Sequence, residues 1–247
     1  MKFVGGLMKY YVDLHIHSAL SPCSNNDMTP NNIVNMALIK DLDIIAVTDH
    51  NSCENLDAVI KCGEKAGMLV IPGMEVETKE EVHVICLFPC LMKALEMQKI
   101  VYDSLPKIKN RSDIFGEQLI MDHQDNIIGH LDKMLITAAN ITIEEVYLKT
   151  KELGGVMIPA HVDRESYSII SNLGMIPEEI KLKYIEISKS CNQQVFLSQY
   201  PQLYKYKFLR SSDAHNLGDI LEQETVVELE NKNASYLISH LINIVEK

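Results

Sequence analysis

The segment DLHIHS, residues 13 to 18, sets two imidazoles, His15 and His17, and the carboxylate of Asp13 on alternate positions just behind the apolar run KYYV. Alternate side chains of a strand emerge on one face, so the rings of His15 and His17 stand side by side. Two neighbouring imidazoles on one face can chelate a metal ion. The pair alone is equally compatible with two half-exposed histidines at a strand end, since short motifs match by chance.

The elements that must position such residues are visible as seven apolar runs of strand length: YYVDLHIH, LDIIAVTDH, MLVIPGMEVE, EVHVICLF, GGVMIPAH, YIEIS and YKFLRSSDAH. Helical stretches separate them, the pattern of an α/β sheet of parallel strands. Thr29 caps the first helix and Pro30 takes its first position. The stretch ENLDAVIKCGEKAG closes at Gly67. A capping box from Thr142 to Glu145 opens TIEEVYLKTKELGG, which ends at Gly154 and Gly155. PEEIKL and ASYLISHLINIVEK read as further helices. From about Leu91 to Ile141 the rhythm breaks: LMKALEMQKIVYDSL reads as a helix, and QLIMDHQDNIIGH as two short strands turning at QDN. This segment, about 91–141, is an insertion expected to pack beside or over the site.

Parallel strands open their C-terminal ends on one side, where such folds carry their active sites. The run endings therefore form one set: Asp13, His15 and His17; Asp49 and His50; Glu75 and Glu77; His83 within the fourth run; His161; Glu186 within the sixth; Asp213 and His215. Six of the nine histidines fall in this set; His123, His130 and His240 are left as surface or structural. A lone His161 would more often be a hydrogen-bonded packing residue. Six imidazoles and several carboxylates at one mouth are costly to bury unpaired, and metal ions relieve that cost. One catalytic zinc needs about three protein ligands, so two or more divalent ions sharing a carboxylate fit the count better. Imidazole and carboxylate suit manganese, zinc or iron. Asp13 and Asp49 are expected behind the ligands, Asp13 holding a histidine tautomer.

Composition narrows the rest. The 247 residues suit a single domain, 1–247, and 47% hydrophobic content provides a full core. A net charge of −11 argues against long duplex DNA as a partner and leaves a small phosphorylated substrate. Scattered cysteines without CxxC spacing fit a reducing cytoplasm. No run approaches the ~20 apolar residues of a membrane span. The opening MKFVGGL, followed by a second possible start at Met8, reads as a dispensable leader. Oligomeric state leaves no mark.

Taken in order, DLHIHS, TDHN, GMEVE, HVICLF, PAHVDR and SSDAH span nearly the whole chain and resemble the PHP (polymerase and histidinol phosphatase) superfamily. The resemblance implies a distorted seven-stranded (β/α) barrel with up to three metals. It gives one ion to His15, His17, Glu75 and Asp213, a second to Glu75, His83 and His161, and a third to His50 and His215. Small phosphoesterases of this type carry SDG after the first motif, where this chain has Ser21, Pro22 and Cys23. Proline cannot supply that carboxylate, so Cys23 or water completes the third shell, or the third ion is weakly held or absent. The chain resembles the small stand-alone phosphoesterases, some of which act on nucleotide bisphosphates or short RNA.

The implied reaction is hydrolysis of a phosphate monoester of a small nucleotide or related metabolite by a hydroxide held between two ions. His50, Asp213 and His215 are the candidate catalytic residues. Arg164, just past His161, offers a planar fork to phosphate, with a surface ion pair as its plainer role; Arg210 is the weaker candidate. Two other functions stand beside this one. A metal-dependent amidohydrolase also uses an HxH pair but often bridges its metals with a modified lysine. A non-catalytic module sensing metal or phosphate has only Pro22 in its favour.

Overall fold

A computed structural model describes residues 6–242. Most of the expected leader, and the end of the last helical stretch, lie outside the described residues. The chain runs β1 (Met8–Ile16), α1 (Pro30–Ile39), β2 (Ile44–Val47), α2 (Leu56–Ala66), β3 (Leu69–Glu77) and β4 (His83–Leu87). It continues through α3 (Leu91–Ser104), α4 (Ser112–Phe115), β5 (Leu119–Met121), β6 (Ile127–His130), α5 (Ile143–Glu152), β7 (Val156–Pro159) and α6 (Ile169–Leu173). It ends with β8 (Tyr184–Ser188), α7 (Gln193–Gln199), β9 (Lys207–Ser211), β10 (Val226–Leu229) and α8 (Ala234–Ile242). Each of the seven apolar runs contains one strand: β1, β2, β3, β4, β7, β8 and β9.

The ladders form an α/β fold with a curled half-barrel of six strands, ordered β10-β1-β2-β3-β4-β7, and a separate parallel pair, β8-β9. This differs from the expected seven-stranded parallel barrel in two ways. First, β10 pairs antiparallel with β1 and caps the sheet edge. Second, β4 runs antiparallel to both β3 and β7. Only residues 78–82 separate β3 from β4, too few for a crossover, so the two must form a hairpin. The reversal puts the first residue of β4, His83, at the end of the sheet where the other strands finish. A few backbone bonds tie the β8-β9 pair to its neighbours: Val162 N–H to Glu186 O at 2.9 Å on one side, and His17 N–H to Ala214 O at 2.9 Å with Ala214 N–H to His15 O at 3.4 Å on the other.

The sheet is buried on both faces, as β2 (IIAV) and β7 (VMIP) show at every position. Along β2, Ile45 and Val47 join the apolar cluster that also holds α1, α2 and α3, while Ile44 and Ala46 join a second cluster with Leu237, Ile238 and Leu241 of α8. The capping devices read from the sequence are in place. Thr29 Oγ1 accepts from Asn32 N–H, Gly67 ends α2 at φ 73°, and Thr142 and Glu145 complete the box of α5. PEEIKL is not a helix; it forms a turn that buries Ile180, being too short to nucleate one alone. Among the described residues no helix is long and apolar enough to cross a membrane.

The segment between β4 and α5 holds the helix α3 and the β5-β6 hairpin. It is stitched to the loops that follow β1 and β2. Leu119 N–H donates to Ala19 O (3.0 Å), Met121 N–H to Asn55 Oδ1 (2.9 Å), and Asn51 Nδ2 to Leu135 O (2.7 Å).

Candidate metal centre

The eight proposed ligands come from the ends of six strands to one place. His15 lies on β1 and His17 one residue past it; His50 follows β2; Glu75 lies on β3; His83 opens β4; His161 follows β7; Asp213 and His215 follow β9. Glu75 is their hub. Its Oε1 lies 3.0 Å from His83 Nδ1, 3.3 Å from His15 Nε2 and 3.4 Å from His161 Nε2. Its Oε2 lies 2.9 Å from His50 Nδ1 and 3.5 Å from His17 Nε2. Asp213 Oδ1 is 3.0 Å from His17 Nε2 and 3.3 Å from His15 Nε2. His161 and Asp213 hold left-handed backbone, φ 29° and 49°. Such strain in non-glycine residues persists where the surroundings enforce it, and it clusters at functional sites.

A layer behind these groups fixes their rings. His15 Nδ1 bonds Glu186 Oε1 at 3.0 Å, and the same oxygen accepts from His161 N–H at 3.1 Å. His17 Nδ1 meets Ser21 Oγ at 3.0 Å, and Ser21 Oγ donates to Asp49 Oδ1 at 2.7 Å. Asp49 thus stands behind His17, through Ser21. Asp13 reaches no ring: it accepts from Ser212 N–H at 3.1 Å and Leu221 N–H at 3.0 Å, bracing the loop that carries Asp213. The tautomer-holding place expected for Asp13 is filled by Glu186, because Asp13 is anchored to backbone. Glu77 stays at the margin, 3.9 Å from His83 Nε2.

Arg164 lies at the rim with its Nη1 2.7 Å from Asp213 Oδ2 and its side chain 45% exposed. Arg210 is spent on the carbonyls of Ser188, Lys189 and Cys191. Tyr167 passed unnoticed in the sequence. It is half-exposed, in left-handed backbone, and its ring stacks on His83 at 4.8 Å. Its only signal was an aromatic residue in the loop following a ligand-bearing strand.

The electrostatics follow from this crowding. Burial works against the charge on Glu75, yet His83, His15 and His50 hold it well below the usual carboxylate range. Asp213 is lowered likewise by His15 and His17 against its burial. Burial is also outweighed at His15, which Glu186, Glu75 and Asp213 raise well above the usual imidazole value. His17 goes the other way, lowered by burial and by His215 and His50. At Cys23, burial is overcome by His215 and His50, and the thiol falls to about 6.

The donor set fits metal ions. Both oxygens of Glu75, His50 Nδ1, His83 Nε2 and His161 Nδ1 are buried without a hydrogen-bond partner, a costly state that shared cations remove. Three ligand groups have their donor atoms within 4.8 Å of one another: His15, His17 and Asp213; His50, Glu75 and His83; His17, His50 and His215.

Comparison with known proteins agrees with the fold. YqxK of Bacillus subtilis, an uncharacterized protein, is 24% identical over 245 residues, covering 87% of this chain and 57% of YqxK. A Bifidobacterium adolescentis protein named as a metal-dependent phosphoesterase superposes with a TM-score of 0.60 at 17% identity, covering 95% of this chain and 97% of that one. The lesion-specific endonuclease Q of Pyrococcus furiosus superposes with a TM-score of 0.68 at 20% identity, over 94% of this chain and 55% of that one. The chain therefore spans just over half the length of YqxK and of endonuclease Q. Endonuclease Q is also solved with a 27-mer duplex carrying an abasic lesion at its active site, and that complex matches with a TM-score of 0.67 at 20% identity over 94% of this chain and 56% of the other. This overturns the expectation that long duplex DNA is excluded, since a total charge of −11 does not report the potential at one mouth. The family model for the PHP domain matches residues 13–165, which carry six of the eight proposed ligands, and the chain belongs to the PHP domain family.

Proposed function

We propose that the chain is a hydrolase of phosphate esters that works with two or three divalent metal ions, manganese, zinc or iron. The observation that carries this reading is Glu75, a buried carboxylate with five imidazoles within 3.5 Å of its oxygens and no hydrogen bond to either oxygen. His15, His17, Glu75 and Asp213 would hold one ion; Glu75, His83 and His161 would hold a second; His50 and His215 would serve a third. Ions so held acidify water toward neutrality and screen the charge of a phosphoryl group.

The chain's own residues supply the rest. Glu186 and Ser21 lock His15 and His17 in orientation. Arg164, fixed on Asp213 Oδ2, presents its remaining N–H groups at the rim, where they bind phosphoryl oxygens and orient the ester. Side-chain exposure falls from 26% at His215 to 8% at His50 and 7% at Asp213, so an entering phosphate meets His215 first. His83, at 11%, comes next after His215; His50, Asp213 and His215 are the residues proposed to take part in the chemistry. Tyr167 offers a flat face beside His83 for a ring of the substrate.

The favoured substrate is a phosphate monoester of a small nucleotide or related metabolite. The amidohydrolase alternative loses ground because the bridging place belongs to Glu75 and not to a lysine. A second phosphoester reading, cleavage of a phosphodiester in duplex DNA, is favoured by the fold likeness to endonuclease Q. Purified protein with manganese, then zinc, is assayed on nucleoside bisphosphates, histidinol phosphate, an aryl phosphate, short RNA and a duplex with an abasic site. Turnover of the monoesters is expected; preference for the duplex selects the second reading, and silence on the whole panel sinks both.

A further inference from the structure

At the end of the sheet opposite the metal mouth, the strands leave a cavity of about 230 Å³. Its place follows from the direction of the chain. β7 starts in the cavity at Val156 and finishes at Pro159, two residues before His161; β8 starts in it at Tyr184 and carries Glu186 toward His15. Val156, Leu182, Leu241, Tyr147 and Tyr184 supply its apolar wall. Contacts among three elements fix that wall. The Tyr147 hydroxyl, on α5, donates to the Lys181 carbonyl at 3.4 Å. The Lys183 ammonium donates to the carbonyl of His240, on α8, at 2.5 Å, and the Tyr184 hydroxyl bonds His240 Nε2 at 3.1 Å. A concavity held open in this way by its own walls has the build of a small-molecule site.

The charged part of the lining is all cationic. Lys151, Lys181 and Lys183 line the cavity, and no aspartate or glutamate does. In a chain with 34 acidic and 23 basic residues, three lysines without an acid reverse the overall sign locally. Among the described residues none of the three forms an ion pair, whereas Lys61, Lys93, Lys149 and Lys189 each meet a carboxylate. Lys183 is half-buried, and its carbonyl accepts from Lys207 N–H at 2.8 Å. The ammonium groups of Lys183 and Lys207 lie 5.2 and 6.0 Å from the centre of the Tyr184 ring. Burial and the charge of Lys207 lower Lys183 from the ordinary lysine value, the state of a cation short of a counter-charge. An ammonium has three donors, and Lys183 spends one on His240.

We propose that this cavity binds a small amphipathic anion. Its apolar body, a single ring or a medium-length chain, packs against Val156, Leu182 and Leu241, and its one carboxylate or phosphate is held by Lys181 and Lys183. Both halves are required. An apolar wall alone takes any hydrocarbon of the right size, and lysines alone take any anion; together they select a molecule that carries both. Binding is reversible and breaks no bond. The site shares no residue with the Glu75 centre and does not depend on the metal assignment.

The test is calorimetry of the full chain with three probes: octanoate, octylphosphonate and octanol. One or both of the anions are expected to bind at one per chain, the tighter naming the head group, with octanol at least about 10-fold weaker. Lys181→Met and Lys183→Met keep the stems and remove the charge, and each is expected to weaken anion binding by about 10-fold. Leu182→Trp, which fills the cavity from its half-buried wall, is expected to abolish binding. Glu75→Gln should bind the anion as wild type does. Octanol binding as tightly as the anions overturns the proposal, because the cavity then selects no charge. Wild-type affinity in both lysine variants places the ligand elsewhere, and lost binding in Glu75→Gln assigns it to the metal mouth; either result overturns the site. Binding that appears only after residues 243–247 are removed makes the chain's own end the occupant and overturns it too, as does silence with every probe. Circular dichroism checks each variant, and if Leu182→Trp does not fold, the exposed Lys181 and its Lys181→Met variant still decide the outcome.

Discussion

Glu75 and Asp213 are two carboxylates at strand ends in one mouth, and their surroundings are unlike. Asp213 is already engaged: Arg164 holds Oδ2 at 2.7 Å and His17 bonds Oδ1 at 3.0 Å. Glu75 is fully buried, surrounded by imidazole nitrogens, and neither of its oxygens makes a hydrogen bond. Its burial is offset by the imidazoles around it and not by hydrogen bonds, the arrangement expected of a carboxylate laid out for cations. The difference separates two kinds of ligand. On the proposed assignment Asp213, oriented by the protein, would lend one oxygen to a metal, while Glu75, which faces only ring nitrogens, would have both oxygens to share between cations.

Substitution of Glu75, the second of these kinds, should have the largest effect. Glu75→Gln keeps the shape and removes the charge that neighbouring cations share. Metal content by elemental analysis is expected to fall below one ion per chain, and activity to fall by more than about 100-fold, the upper end of losses seen on weakening a metal site from outside its ligands. The circular dichroism spectrum should be unchanged. Normal metal content in Glu75→Gln removes the hub.

Asp213→Asn comes next. The amide retains an oxygen for His17 or Arg164, and the second ion keeps its full set of Glu75, His83 and His161. About one ion per chain should therefore remain, with metal affinity at the damaged site down by about 10- to 100-fold. If Asp213→Asn empties the protein as Glu75→Gln does, the two carboxylates are equivalent and the contrast fails.

Arg164→Ala leaves all the ligands in place and removes only the cation on Asp213 Oδ2. A charge-assisted hydrogen bond contributes about 1.5–3 kcal/mol, so kcat/KM on a phosphate ester should drop by about 10- to 100-fold. Metal stoichiometry should stay at the wild-type value. Unchanged kinetics take Arg164 out of the site; lost metal makes it a brace for Asp213 and nothing more.

The contrast between the two carboxylates was out of reach of the sequence, although their positions were not. All seven strand runs were legible because each is a short block of β-branched and aliphatic residues bounded by capping or glycine signals. The ligand positions followed from where those blocks end. Strand β10 escaped: VVEL is only four residues long, and its partner β1 lies more than 200 residues earlier, so no local pattern could announce the pairing. The direction of β4 was legible and misread, since a five-residue link already demanded a hairpin. Partners across the site were hidden for a different reason. That Glu186 and not Asp13 would hold His15, or that Arg164 would sit on Asp213, depends on where loops from distant strands meet, and one-dimensional spacing does not encode it.

Proton competition gives the smallest and subtlest difference between the two carboxylates. In the metal-free chain burial opposes charge on His15, His50, His83 and His215, yet neighbouring anionic groups raise all four above the ordinary imidazole value. Glu75 acts on the first three, and Asp213 acts on His215 and on His15. A protonated imidazole has no lone pair to give, so an incoming ion must displace these protons. The direction follows: Glu75 and Asp213, held low, stay ionised near neutrality and add no slope, while the raised histidines make metal affinity climb as pH rises from 6 to 8. The gain is up to about tenfold per pH unit for each proton displaced. Calorimetry of zinc binding in two buffers of different ionisation enthalpy counts those protons directly. Glu75→Gln, by lowering His15, His50 and His83 together, should flatten the slope of any residual binding more than Asp213→Asn does. Equal slopes in the two variants, or affinity independent of pH in wild type, would mean that these imidazoles are neutral before the metal arrives and that Glu75 does not organise them.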